Sequence, residues 1–197
     1  MSALTWEDVS GGVGLRVTVP VTMGPDEAAR ELAPRLSALA GERATASSGE
    51  AGARPGVPVV TIDGYSGSGK STLAAAIARL VNGWQVLHLD DWYPGWDGLV
   101  EGAHIARRIA ADLRGGRASS YEAWDWDKGT TGATTLVPLV PTIIEGCGAI
   151  EAVADLAVWI ADPGEDERRS RALARDGQTY APHWQRWADQ DLGRSLP

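Results

Sequence analysis

The octapeptide GYSGSGKS, residues 64–71, satisfies the pattern G-x-x-x-x-G-K-[ST] at every fixed position. Small residues are needed in this pattern because backbone N–H groups converge on a phosphate and leave little room for side chains. In such a loop Lys70 bridges the β- and γ-phosphates, and the Ser71 hydroxyl binds Mg²⁺. The chain has only two lysines against sixteen arginines, so a lysine at the required position is informative. The octapeptide therefore predicts a binding site for a nucleoside triphosphate.

The residues around this P-loop support the prediction. An apolar run, VPVVTID at 57–63, precedes the loop and is typical of a strand buried on both faces. An apolar helix is predicted from Lys70 to about Val81, and the positive end of its dipole would face the phosphates. The residues expected to hold the nucleotide are Gly64, Ser66, Gly67, Ser68, Gly69, Lys70, Ser71 and Thr72.

Strands and helices alternate through the rest of the chain. Strands are predicted at 84–89, 142–145 and 156–160, and helices at 99–113 and from about residues 163 and 182. A polar, tryptophan-rich loop is predicted at 119–135. The alternation predicts an α/β protein with the P-loop nucleoside triphosphate hydrolase fold, in which a parallel sheet is flanked by helices on both faces.

The first 56 residues follow a different pattern. Alternating β-branched residues at 15–21 predict a strand, and acidic residues after Pro25 begin a helix that runs to about Ala40. Pro34 should kink or split that helix, and the Gly, Ala, Ser and Pro stretch at 41–58 predicts a flexible linker. We therefore expect an N-terminal strand-helix extension and linker at 1–56 and a P-loop domain at 57–197.

Composition excludes several classes of protein. Hydrophobic residues at 44% and charged residues at 22% are ordinary for a folded chain of 197 residues. A net charge of −8 disfavours nucleic-acid binding, because no general positive field attracts phosphates. No apolar run approaches the roughly 18 residues of a membrane span, and no signal-peptide pattern opens the chain. The single cysteine, Cys147, cannot form an internal disulfide, which fits a cytoplasmic protein.

Exclusion of GTPases and of large ATPases leaves a small kinase as the expected class of P-loop protein. Neither lysine lies in an Asn/Thr-Lys-x-Asp element, with which GTPases read guanine. Ring ATPases and transporter ATPases need a longer chain than 197 residues, and their signature segments are missing.

Four segments together resemble the uridine kinase and phosphoribulokinase branch of the P-loop kinases. They are IDGYSGSGKSTLA at 62–74, HLDDWY at 88–93, IIEGCGA at 143–149 and RRSRALARDG at 168–177. The resemblance implies transfer of the γ-phosphate of ATP, with Mg²⁺, to a hydroxyl of a small molecule. It also implies five parallel strands in the order 2-3-1-4-5, of which residues 57–197 supply four. The strand at 15–21 could fill the vacant edge; the alternatives are a separate cap or an extension that mediates contacts in a homodimer.

The resemblance also assigns roles to two carboxylates. Asp90 corresponds to the catalytic base, which accepts the proton of the attacking hydroxyl. Asp91 should face away from the site, because side chains alternate along a strand. Glu145 ends an apolar strand and is expected to bind Mg²⁺ with Ser71, since a lone buried carboxylate is costly. The alternatives are an acidic turn at Asp90 and a carboxylate at Glu145 that caps the next turn.

Three arginines recur at helical spacings of three and four in the fourth segment. Arg168, Arg171 and Arg175 would share one face of a lid helix and neutralise phosphate charge. Arg168 is expected to bind the nucleotide, and Arg171 and Arg175 to act in catalysis. The alternative is an exposed face on which these arginines pair with the acids at 165–167.

The acceptor is expected to lie near YEAWDW at 121–126, where uridine kinases carry a Tyr-Asp element. Aromatic rings beside a carboxylate suit a flat or polyhydroxylated molecule, although the tryptophans could instead be packing residues. DKGTT at 127–131 replaces the His-Ser-Arg stretch with which the family holds a nucleoside, so the resemblance does not extend to nucleoside specificity. The aromatic rings and the carboxylate lead us to expect a nucleoside-like or polyhydroxylated acceptor. The predicted substrate residues are Asp90, Tyr93, Tyr121, Trp124 and Asp125.

Two other functions are compatible with these motifs. One is a nucleotide-gated regulatory or binding protein without a small-molecule acceptor, in which the tryptophan-rich segment is an interaction surface. The other is an antibiotic-modifying phosphotransferase. His88 is expected to be a packed core residue and Cys147 a small buried one, since neither has a partner at metal-ligand or catalytic spacing.

Overall fold

The computed structural model describes residues 3–8, 14–46 and 55–194. Its strands are β1 (Thr5–Asp8), β2 (Leu15–Val19), β3 (Val59–Asp63), β4 (Gln85–His88), β5 (Ser119–Asp125), β6 (Thr130–Val137), β7 (Thr142–Glu145) and β8 (Leu156–Ile160). Its α-helices are α1 (Pro25–Ala46), α2 (Lys70–Ala78), α3 (Leu99–Arg114), α4 (Glu165–Tyr180) and α5 (Trp184–Leu192). Short 3-10 turns occur at Leu89–Asp91, Ala149–Glu151 and Ala181–His183.

Six of these strands form one sheet in the order β1-β2-β8-β3-β7-β4. Every neighbouring pair is parallel except β1 and β2, which are antiparallel. The central strand β3, with sequence VVTID, is buried at all its positions, as expected for a strand covered on both faces. The carboxyl ends of β3, β7 and β4 meet at one edge of the sheet, which is where ligands bind in open α/β proteins.

The N-terminal strand β2 takes the outer place among the parallel strands. β2 pairs with β8 along its whole length, from Leu15 beside Leu156 to Val19 beside Ile160. Counted from β4, the five parallel strands are in the order β4-β7-β3-β8-β2. When the P-loop strand β3 is numbered 1, this is the predicted order 2-3-1-4-5, with β2 in the fifth position. The pairing agrees with the hypothesis that the N-terminal strand fills the vacant edge, and it does not agree with a separate cap.

The hydrophobic core extends across the predicted boundary at residue 56. On one face of the sheet α1 packs against α2, and side chains from both segments form a single buried cluster. Val17 and Leu32 come from the N-terminal segment, Ile62 and Ile77 come from the P-loop segment, and all four are fully buried. A second cluster, which includes residues of α3 and α5, covers the other face. The two predicted segments therefore share one sheet and the hydrophobic cluster on one of its faces.

Helix α1 is longer than predicted and is not split by its proline. It runs through Pro34 and ends at Ala46, so only residues 47–54 of the predicted linker lie outside the described ranges. A proline removes a single N–H donor from the helix. The buried side chains of Leu32, Leu36 and Leu39 hold both halves of α1 against the sheet. None of the described helices, α1 included, is long and apolar enough to cross a membrane.

The segment predicted as a loop at 119–135 is instead a β-hairpin. Strands β5 and β6 pair antiparallel, with Tyr121 opposite Thr135 and Asp125 opposite Thr130. Nearly all of β6 is exposed, so no alternation of apolar and polar residues marked it in the sequence. Its threonines are β-branched and favour a strand even without burial.

Candidate active site

A cavity of about 870 Å³ opens where the P-loop meets the segments after β4 and β7 and the helices α4 and α5. Of the predicted site residues, the cavity brings together Ser66, Gly67, Gly69, Lys70, Ser71, Thr72, Asp90, Tyr93, Glu145, Arg171 and Arg175. The predicted residues that do not line it are Gly64, Ser68, Arg168, Tyr121, Trp124 and Asp125. The structure thus gathers the P-loop and the two carboxylates in one place and leaves much of the predicted acceptor site elsewhere.

The P-loop leads from β3 into the first turn of α2. Gly69, the residue before the helix, has a φ of 105°, a left-handed conformation that favours glycine. Gly67 has a φ of 80°, and a Cβ there would lie 2.2 Å from the carbonyl oxygen of Arg168. Both glycines line the cavity, together with the first residues of α2. The loop thus offers backbone donors and the positive end of a helix dipole, the arrangement that binds phosphate.

The Lys70 ammonium is held against the loop's own backbone. Its Nζ donates a hydrogen bond to the carbonyl oxygen of Gly64 at 2.9 Å. Burial alone would lower the pKa of Lys70, but Cys147 and then the carboxylates of Asp191, Glu145 and Asp63 raise it above its ordinary value. The side chain therefore stays charged in a buried place, where a phosphate oxygen can replace the carbonyl as its partner.

Of the two neighbouring aspartates only Asp90 lines the cavity. Asp90 and Asp91 lie in a 3-10 turn after β4, so the strand alternation used to choose between them does not apply. The Oδ2 atom of Asp91 instead accepts a hydrogen bond from the Tyr121 hydroxyl at 3.4 Å. Desolvation in the cleft and the nearby Glu145 raise the pKa of Asp90, and two cations of the site oppose that rise. A raised pKa makes its carboxylate a better proton acceptor.

Glu145 forms a pair with His88 that no sequence pattern had indicated. The two residues lie side by side at the ends of β7 and β4, and His88 Nδ1 is 2.5 Å from Glu145 Oε1. Burial alone would raise the pKa of Glu145, but the hydrogen bond to His88, the charge of Lys70 and the Ser71 hydroxyl hold it below its ordinary value. The hydrogen bond raises the pKa of His88, whose side chain is 44% exposed and is not the packed core residue expected. An ionised carboxylate beside Ser71 is a donor set that suits Mg²⁺.

The three arginines of α4 do not share one environment. Arg171 and Arg175 line the cavity, each paired with an acid of its own helix, Glu167 at 2.8 Å and Asp176 at 2.7 Å. Both arginines therefore face the cavity, as predicted for phosphate binding. Arg171 also pairs with one of the acids at 165–167, as the alternative expected. The two cations remain available to a phosphate in the cavity.

Arg168 lies behind the P-loop, which corrects its predicted role in binding the nucleotide. Its side chain is 3% exposed, and its guanidinium donates to Asp162 at 2.8 Å and to the Ser66 carbonyl oxygen at 3.3 Å. It also lies over the rings of Tyr65 and Trp184. The first turn of α4 packs directly on the P-loop, so Arg168 is enclosed. Arg171 and Arg175 lie one and two turns further along the helix and face the cavity.

The acceptor residues predicted from the hairpin also have structural contacts away from the cavity. The Tyr121 ring packs on Trp92, with ring centroids 4.7 Å apart. Asp125 closes the hairpin turn, where it accepts from the Lys128 backbone N–H at 2.9 Å and from its Nζ at 2.6 Å. Trp124 lies beside Gly95. Local sequence could not show this, because the hairpin itself was not predicted.

An aromatic wall takes the place of those residues. It consists of Trp96, Trp126, Tyr180 and Trp187, which all line the cavity. Trp96 stacks on Tyr180 at 5.4 Å with 12° between the ring planes, and Trp126 lies 4.7 Å from Trp96. The Trp126 indole N–H donates to the carbonyl oxygen of Asp90 at 2.8 Å, which places the hairpin turn beside that residue. The YEAWDW segment had pointed to Trp126, whereas no local pattern placed Tyr180 or Trp187 at the cavity.

A second cavity of about 460 Å³ adjoins the P-loop on its N-terminal-segment side. The loop between β2 and α1, together with the first residue of α1, forms much of its wall at residues 20–25, with Ile160 at the end of β8 and Pro163 beyond it. Gly69, Thr72 and Arg171 line both cavities, so the P-loop lies between them. Ser68 lines only this second cavity. Apart from the P-loop, no sequence motif pointed to this site, because its other walls come from distant parts of the chain.

The strand order and the glycine loop between β3 and α2 define the P-loop nucleoside triphosphate hydrolase fold. No protein-family model and no curated protein matches the chain. Among solved structures the chain is similar to a possible uridine kinase from Bacillus stearothermophilus, at 18% identity and a TM-score of 0.43, covering 84% of this chain and 98% of that one. It is also similar to a candidate fructose transport system kinase from Silicibacter sp. TM1040, at 20% identity and a TM-score of 0.49, covering 82% of this chain and 96% of that one. Similarity at this level carries no information about substrate.

Proposed function

We propose that the protein is an ATP- and Mg²⁺-dependent phosphotransferase whose acceptor is an alcohol group of a small molecule. The observation that carries this proposal is that the Asp90 carboxylate and the P-loop line the same cavity. A phosphate-binding loop alone supports only nucleotide binding. A carboxylate with a raised pKa in that cavity adds a group that can accept the proton of an attacking hydroxyl.

The residues of the cavity would divide the work of phosphoryl transfer. The P-loop N–H groups and the Lys70 ammonium bind the triphosphate, while Arg171 and Arg175 neutralise charge on the transferred group. The acceptor oxygen forms a bond to the γ-phosphorus, and the bond from that phosphorus to the bridging oxygen breaks, releasing ADP. Asp90 takes the hydroxyl proton and passes it to solvent.

Ser71 and Glu145 fit the Mg²⁺ ion that accompanies the nucleotide. Their oxygens are neighbours, and the lowered pKa of Glu145 keeps its carboxylate ionised. Within the described residues, no group of three or more His, Cys, Asp or Glu side chains could hold a metal by itself. Phosphate oxygens and water would therefore complete the coordination, as Mg²⁺ commonly requires. When bound, the ion supplies positive charge to the β- and γ-phosphates.

The nucleoside part of ATP would occupy the second cavity. Asp90 marks the first cavity as the acceptor side of the P-loop, and the second cavity lies on the other side of the loop. Val21, Met23 and Ile160 give the second cavity an apolar lining, which suits the flat face of a nucleobase. The N-terminal segment would then take part in nucleotide recognition as well as in the sheet.

Filling the second cavity should weaken ATP binding without touching the phosphate site. We expect Val21→Trp to raise the Kd of Mg·ATP by about tenfold and to leave the Kd of inorganic tripolyphosphate unchanged, as measured by titration calorimetry. Val100→Trp is the matched control, since Val100 is a similarly exposed valine on α3. Equal weakening of both ligands by Val21→Trp would contradict this assignment of the nucleoside.

The aromatic wall would hold the acceptor beside Asp90. Tryptophan and tyrosine rings stack on flat bases and on the apolar faces of sugars, and Asp90 supplies a hydrogen-bond acceptor. We therefore propose a nucleoside-like or polyhydroxylated acceptor, a range that includes an antibiotic of that kind.

Stimulated ADP release tests the proposed function. A panel of nucleosides, sugars and antibiotics is added to the protein with Mg·ATP, and we expect one chemical class to increase ADP release with formation of a phosphorylated product. Omission of Mg²⁺ and addition of EDTA are the controls, and both should abolish the stimulation. Tight nucleotide binding without stimulation by any alcohol, together with nucleotide-dependent binding of another protein, would favour the regulatory alternative instead.

A further inference from the structure

Three charged side chains lie buried behind the P-loop and line neither cavity. We call Asp63, Asp191 and Arg194 the buried triad. Asp63 is fully buried, Asp191 is 1% exposed, and the Arg194 side chain is 4% exposed. Asp63 ends β3 directly before the loop, whereas Asp191 belongs to α5 and Arg194 follows that helix. The triad therefore joins the end of the central strand to the last helix.

The Arg194 guanidinium holds both carboxylates at once. Its Nη1 donates to Asp63 Oδ2 at 2.8 Å, and its Nη2 and Nε donate to Asp191 Oδ1 at 2.6 Å and 3.0 Å. Burial alone would lower the pKa of Arg194, but the two aspartates raise it well above its ordinary value. A planar fork of donors suits this double contact, and a lysine could not reproduce it.

The carboxylates of the triad also bind the backbone of the loop. Asp63 Oδ1 accepts the N–H of Gly64 at 2.6 Å, and Asp191 Oδ2 accepts the N–H of Ser66 at 2.8 Å. Asp63 Oδ2 additionally accepts the N–H of Gly148, in the segment after β7, at 3.0 Å. The triad thus sets the start of the P-loop relative to α5 and to the strand that carries Glu145.

A short chain of contacts continues from the triad to the Lys70 ammonium. The Cys147 thiol donates to Asp191 Oδ2 at 3.4 Å, and Lys70 Nζ lies 3.3 Å from the same sulfur. The two aspartates and one arginine leave an excess negative charge beside Lys70. That charge attracts the Lys70 ammonium toward the loop.

We propose that Asp191 and Arg194 are positioning residues for the triphosphate, acting through Ser66 and Lys70. The inference rests on the proposed nucleotide binding of the P-loop. A need for stability alone explains the triad poorly, because buried ion clusters can often be replaced by apolar residues without loss of stability. The Asp191 carboxylate instead holds the N–H of Ser66, and the partly compensated negative charge of the triad lies beside the Lys70 ammonium. Both features control where the phosphate-binding groups lie.

Substitution of Arg194 tests the proposal. We expect Arg194→Met to raise the Kd of both Mg·ATP and inorganic tripolyphosphate by at least about tenfold, because the two uncompensated aspartates draw Lys70 away from the phosphates. Arg194→Lys restores the charge but not the fork and should give an intermediate Kd. Titration calorimetry is performed at a temperature at which circular dichroism shows each variant to be folded, and the KM of the acceptor should stay unchanged.

The matched control is Arg114→Met, which breaks another partly buried ion pair. Arg114 Nη2 lies 3.3 Å from Asp155 Oδ1, just before the start of β8 and away from the P-loop. This variant should lose stability and keep the wild-type Kd for both ligands. A purely structural role of the triad would lower the number of binding-competent sites per chain and leave the Kd of the folded fraction unchanged.

The proposal is overturned if folded Arg194→Met binds both ligands within about twofold of wild type. Should that variant fail to fold, Asp191→Asn preserves the side-chain size and is interpreted in the same way. Failure of the wild-type protein to bind either ligand would contradict the proposed function itself, and this outcome is independent of the variants.

Discussion

Asp90→Asn should bind Mg·ATP with nearly wild-type affinity and lose phosphoryl transfer by at least about a hundredfold. The amide has the size of the carboxylate but cannot take the hydroxyl proton. The P-loop, Lys70 and the arginines of α4 are untouched, so the triphosphate keeps its partners. Calorimetric Kd and the rate of ADP release at saturating acceptor separate the two effects.

Asp91→Asn is the control for this experiment, because Asp91 is adjacent in sequence and contacts Tyr121 rather than the cavity. It should retain wild-type turnover. If the proposed function holds, the raised pKa of Asp90 in the wild-type protein predicts that kcat/KM falls with decreasing pH at a higher pH than an unperturbed aspartate would show, since only the ionised form accepts a proton. Undiminished turnover of Asp90→Asn would remove this residue from the mechanism.

Lys70→Met should weaken Mg·ATP binding by about tenfold to a hundredfold, since hydrogen bonds to charged groups contribute about 1.5–3 kcal/mol. The rate at saturating ATP should fall as well, because the ammonium also neutralises charge that develops during transfer. Calorimetry and ADP release measure the two effects, with circular dichroism to verify folding.

Lys128→Met provides a matched control, because the chain has only these two lysines. Lys128 lies on the exposed hairpin turn, paired with Asp125, and lines neither cavity. Its replacement should change neither Kd nor rate. Equal behaviour of the two variants would show that the triphosphate does not use the P-loop ammonium.

The local parts of this protein were predictable from sequence. The P-loop needs small residues, a lysine and a serine at fixed spacing, and a buried strand and an apolar helix must flank it, so a continuous stretch contained the whole pattern. Asp90 and Glu145 were found because each lies at the carboxyl end of an apolar strand, where parallel strands bring their ends together, and because the resemblance to the uridine kinase branch assigned them roles. The position of β2 was also foreseen, although only as one of several alternatives.

Local sequence patterns could not predict the hairpin, the aromatic wall or the buried triad. β6 has no buried face to produce a periodic pattern, and Trp96 and Trp126 meet only because that hairpin folds over Asp90. Arg168 was misassigned because helical spacing cannot tell which turn packs on the loop.

Sequence alone therefore determined the phosphate loop and the parallel strands beside it. The backbone conformation of the loop and the burial of each strand depend on a few neighbouring residues, so a short stretch of sequence is enough to predict them. Tertiary structure decided which side chains surround that loop. Arg194 binds Asp63 although the two residues are 131 positions apart in sequence. The loop after β2 lines the second cavity, although β2 and β4 lie at opposite edges of the parallel part of the sheet. Contacts at such separations depend on how whole elements pack, and no local pattern records them.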